Sequence, residues 1–133
     1  MTISQKQTEK YKIISAFRKY TRLGLANNRL SPFEVCDRIR GVSKSREEAL
    51  DIFAVYDTIR LLKISGKEDV LRAVSAVYMC GMRDKMRKSE ISLRILRYAY
   101  ENNCDERTVY RQLQYARSIY KLVREDISFS VKK

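Results

Sequence analysis

Arg107, Tyr110, Arg111 and Gln114 recur at three- and four-residue spacing, so on a helix they share one face. The groups they offer suit recognition by hydrogen bonding. An arginine fits the O6 and N7 edge of guanine, and a glutamine the N6 and N7 edge of adenine, in the major groove of B-DNA. Thr108 and Lys121 on the same helix suit phosphate oxygens, which fix position without reading sequence. Arg87 and Lys88, at the end of the basic run from Arg83 to Lys88, add cations just upstream. These eight residues are the expected DNA-binding set.

Other chemistry finds little support. The chain has no histidine, so Ser-His and Cys-His nucleophile pairs are impossible. It has no Gly-rich phosphate loop. Cys36, Cys80 and Cys104 are odd in number and widely spaced, which argues against both a disulfide framework and a zinc site. Glu47, Glu48 and Asp51 cluster at a helix start, where negative charge complements the helix N-terminus. The expectation is a protein that is not an enzyme and needs no metal or cofactor. The cysteines fit reduced thiols in a cytoplasmic protein. Lysines interrupt the start before a signal peptide forms, and no stretch approaches 18 apolar residues.

Presenting the reading face requires two helices and a sharp turn between them. Ala99 is small enough for a tight helix crossing. Asn103, four positions on, tolerates left-handed backbone geometry. Cys104 can tuck into the turn, and Asp105 can cap the helix that follows. Val109, Leu113, Ala116 and Tyr120 then form an inward stripe opposite the reading face. This is the pattern of a helix-turn-helix, with its reading helix over 105–121 in the major groove.

The other elements read as helices too. Four Gly and one Pro in 133 residues leave few breakers. A first helix spans 4–25, with Lys10, Lys12, Arg18, Lys19 and Arg22 filling its polar positions. Ser31-Pro32-Phe33-Glu34 and Ser45-Arg46-Glu47-Glu48 are capping boxes that open two more, the first stopping at Gly41 and the second running towards Ser65-Gly66. Helices over 67–82, from Ser89 or Glu90 to Asn102, and from Asp105 to about Asp126 complete the set. The fold class is all-α, a compact multi-helix domain ending in a helix-turn-helix. Its expected parts are a basic helical extension (1–44), a helical domain (45–126) with the helix-turn-helix at 90–126, and a tail (127–133).

The net charge of +12 favours a polyanionic partner, nucleic acid first and anionic membrane second. Residues 1–44 carry ten Lys/Arg against three Asp/Glu, and 83–133 thirteen against seven, whereas 45–82 is near neutral. A neutral packing core with two charged flanks is the expected arrangement. The first helix is amphipathic, and docking on that core or pairing two chains is favoured over a membrane surface. Tyr115, Ile119 and Leu122 form a second apolar stripe that either packs on 4–25 or pairs two copies as a homodimer.

The segment from Asp105 to Ala116 also resembles the reading helix of sigma-factor region 4 and related activator domains. Residues 56–62 and 68–78 are similar to the preceding helices of that fold. Length and basicity suggest the small phage regulators of the autolysin-regulator (ArpU/RinA-like) type. The resemblance covers about residues 50–125. It implies a transcription regulator at a phage or prophage promoter, with double-stranded DNA and possible RNA polymerase contacts as partners. Two alternatives stay open: a phage-type protein that inhibits a host enzyme such as a nucleic-acid-guided nuclease, and a DNA-packaging recognition subunit.

Overall fold

A computed structural model describes residues 3–26, 30–80 and 88–132, with side chains described for 8–26, 30–80 and 89–127. The described residues form six helices and no strand: α1 (Ile3–Arg22), α2 (Pro32–Val42), α3 (Arg46–Ile64), α4 (Glu68–Val77), α5 (Lys88–Glu101) and α6 (Glu106–Lys132). The chain is all-α.

Local chemistry sets most of the helix ends. The Ser31 and Ser45 side chains accept hydrogen bonds from the Glu34 and Glu48 amides, at 3.2 and 3.1 Å, so each serine satisfies an amide left over at a helix start. At the other end, α1 and α3 stop on Gly24 and Gly66, both at φ +73. In each case the next residue's N–H reaches back five positions, Leu25 to Tyr20 and Lys67 to Leu62, which is the Schellman arrangement. The expected stop at Gly41 is not used. The helix α2 continues to Val42, where Ser43 caps it by donating its hydroxyl to the Ile39 carbonyl. Similarly, α6 continues past Asp126 to Lys132, and α4 ends at Val77, short of the expected Met82.

α6 is the spine of the fold and packs on α1, α3, α4 and α5. Ile52, Val55 and Leu62 of α3, Val74 and Val77 of α4, Ile95 of α5 and Val109 and Leu113 of α6 meet in one core. α1 joins the same core rather than standing apart as an extension. Phe17 lies between two tyrosine rings, 6.0 Å from Tyr78 and 5.9 Å from Tyr120. Tilted ring pairs at such separations add to the gain from burial alone.

Arg18, expected on the solvent side of α1, is instead buried, with 2% of its surface exposed. Its guanidinium donates to the Tyr78 carbonyl at 3.1 Å and to the Cys80 carbonyl. Arg94 of α5 donates to Val77 and Cys80 carbonyls at 3.1 and 2.7 Å. A helix C-terminus leaves carbonyls unsatisfied and carries partial negative charge, so α4 ends where two arginines serve both needs. The placement of α5 is thereby tied to α4 and α1.

Candidate nucleic-acid interface

The turn between α5 and α6 is built on Asn103, which has φ 51. It is the one non-glycine residue at positive φ among the described residues. The Cys104 N–H donates to the Ala99 carbonyl at 3.0 Å and the Asn103 N–H to Tyr100 at 3.4 Å. Asn103 therefore fills in this turn the position that Gly24 and Gly66 fill in theirs. Ala99 is buried at the crossing, and Cys104 packs against the core beside it. The Asp105 carbonyl then accepts from the amides of Thr108 and Val109, which starts α6.

Past the turn, Val109, Leu113, Ala116 and Tyr120 are all buried, as their spacing predicts. The Tyr120 hydroxyl donates to the Asp51 carbonyl at 3.3 Å, and its burial, then the nearby Asp51 charge, push its pKa up. Arg107, Thr108, Tyr110, Arg111 and Gln114 are exposed together on the opposite side. Ser118 uses its hydroxyl on the Gln114 carbonyl, at 3.0 Å.

The remaining expected site residues differ. Lys121 is exposed but paired with Glu9 of α1 at 2.6 Å, so its charge is already partly answered. Arg87 lies outside the described residues. Lys88 opens α5, and its side chain also lies outside them. The Tyr115, Ile119 and Leu122 stripe does not seal against α1: Tyr115 is exposed beneath Lys67, whose Nζ stands 5.8 Å from the ring centre.

Lys67 is thus a cation beside this exposed side of α6 that spacing along the chain did not reveal. It sits at the N-cap of α4, far from α6 in sequence, and only the α4–α6 packing brings it near. Thr108, Arg111, Gln112 and Tyr115 line a shallow recess with Lys67 and Asp69, about 260 Å³ in volume. Within it the Gln112 amide donates to Asp69 at 3.4 Å. Carboxylates of Asp105 and Glu106 flank the first turn of α6. A polyanion on this face would meet those acids at the helix start and cations one turn further on.

Anchoring of α6 to the body is electrostatic at its far end. Arg124 reaches Asp51 and Glu47 in the first turns of α3, at 2.8 and 2.7 Å. The acidic cluster of α3 therefore answers both its own helix N-terminus and α6. Among the described residues no cluster of Cys, Asp and Glu is placed to hold a metal, and no helix is long and apolar enough to cross a membrane. No protein-family model, curated protein or solved structure matches the chain.

Proposed function

We propose that this chain is a sequence-reading double-stranded DNA-binding protein whose α5–turn–α6 unit acts as a helix-turn-helix, with α6 in the major groove. One observation carries the reading. The turn at Asn103 locks Val109, Leu113 and Ala116 inward and leaves Arg107, Tyr110, Arg111 and Gln114 in solvent on one side. In this reading Arg111 and Gln114 meet base edges, Arg107 and Thr108 meet the flanking bases or phosphates, and Lys67 adds a phosphate contact. The likeness of residues 105–116 to sigma-factor region 4 extends the proposal to a transcription regulator of phage or prophage type.

The test is selection from a random pool of duplexes at near-physiological salt, since affinity without salt control carries little information. The reading expects one enriched motif, and affinity for it that falls linearly with salt on logarithmic axes. Enrichment of no motif, together with salt-insensitive capture of a host protein, would favour the inhibitor reading instead.

A further inference from the structure

Away from the α6 face, the turn after α1, α3 and α4 enclose a cavity of about 380 Å³. That is at the lower end of the range for small-molecule sites, about 300–1,000 Å³. Leu71 and Met79 of its wall are apolar and only partly buried, so they retain surface for a ligand. Two further observations point to an occupant. Tyr20 is 3% exposed and lines the cavity, yet its hydroxyl has no hydrogen-bond partner among the described residues. That hydroxyl keeps contact with the solvent of the open cavity, so its donor is available to water or to a bound acceptor. Arg60 and Lys63 also line the cavity and are exposed, and neither has a carboxylate within ion-pair distance among the described residues. Arg60 lies 6.0 Å from the centre of the Tyr56 ring. Its charge also reaches Asp57, whose carboxyl is nevertheless pushed up by burial.

We infer that this cavity binds a small amphipathic monoanion, with its apolar body against Leu71 and Met79 and its carboxylate held by Arg60 and Lys63. The Tyr20 and Tyr56 hydroxyls supply donors inside. Burial, reinforced by the neighbouring Tyr56, pushes the Tyr20 pKa up to about 12, so it stays a donor at neutral pH. Uptake of a ligand here asks nothing of the α6 face.

The test is titration of the full chain, without DNA, with octanoate and naphthoate and with 1-octanol as a neutral match. The acids are expected to bind, with amide shifts gathered on Tyr20, Tyr56, Leu71 and Met79. Octanol is expected to bind at least about tenfold more weakly. The double variant Arg60→Ala/Lys63→Ala should weaken the acids by about tenfold or more while keeping its melting temperature, because both side chains are exposed. Ser75→Phe, which fills the cavity from an exposed position without altering charge, should abolish binding. Equal binding of octanol, shifts gathered elsewhere, or binding of neither acid at millimolar concentration would overturn the assignment.

Discussion

Arg18 ties α1 to the end of α4 through a buried side chain. Its guanidinium is withdrawn from water, and the Tyr78 and Cys80 carbonyls at the end of α4 replace that water. Hydrogen bonds to charged groups contribute about 1.5–3 kcal/mol each, and stranding a buried acceptor without a donor adds its own desolvation penalty. Arg18→Ala should therefore lower stability by at least about 1.5–3 kcal/mol in chemical denaturation. A change within about 0.5 kcal/mol, as for an ordinary surface position, would mean the carbonyls find other partners. Tyr20 makes a second residue-scale prediction. Its folded pKa of about 12 lies above the ordinary 10.0, so between these values the fold retains a proton that the unfolded chain releases. The contribution is fully present below pH 10, and stability falls as pH rises towards 12. Denaturation midpoints measured across that window should drop less steeply for Tyr20→Phe than for the natural chain.

At the scale of elements, the α5–α6 turn is the part with least tolerance. Asn103 sits at φ 51, where a side chain with a Cβ and no compensating hydrogen bond costs about 1–2 kcal/mol. Asn103→Ala should destabilise by about 1 kcal/mol, and Asn103→Gly should be neutral or stabilising, in thermal or chemical denaturation. Equal losses for both would mean the asparagine side chain, not the backbone, holds the turn. This turn was legible in the sequence because its requirements are local: a small residue at Ala99 and a left-handed position at Asn103. The serine caps of α2 and α3 and the inward stripe of α6 were legible for the same reason. What could not be read depended on packing between distant segments. Arg18 has the spacing of a surface cation, and only the end of α4 makes it a buried one. Leu93, Leu96 and Tyr100 look like core residues by type, yet they are exposed because Ile91, Ile95 and Ala99 already fill the inner face of α5. Lys121 and Lys67 were placed beside Glu9 and Tyr115 by α1 and α4, elements the local pattern does not see.

For the whole molecule, the net charge of +12 and the single core shared by α1 through α6 describe a basic body on which one side of α6 stays exposed. On the proposed DNA-binding reading, the charge provides general attraction to polyanions, which salt weakens, and discrimination among sequences comes from side chains on that face. These contributions separate experimentally, because removing a phosphate-binding group weakens all duplexes alike and removing a base-reading group changes the preference at one position. The decisive measurement is the affinity of the natural chain and of Arg111→Ala for the selected duplex and its single-base-pair variants, at a fixed salt of about 0.15 M. The account predicts that the variant loses about 1–3 kcal/mol on the selected duplex and becomes indifferent at one base pair, with its fold intact. Unchanged affinity and an unchanged preference at every position would contradict it.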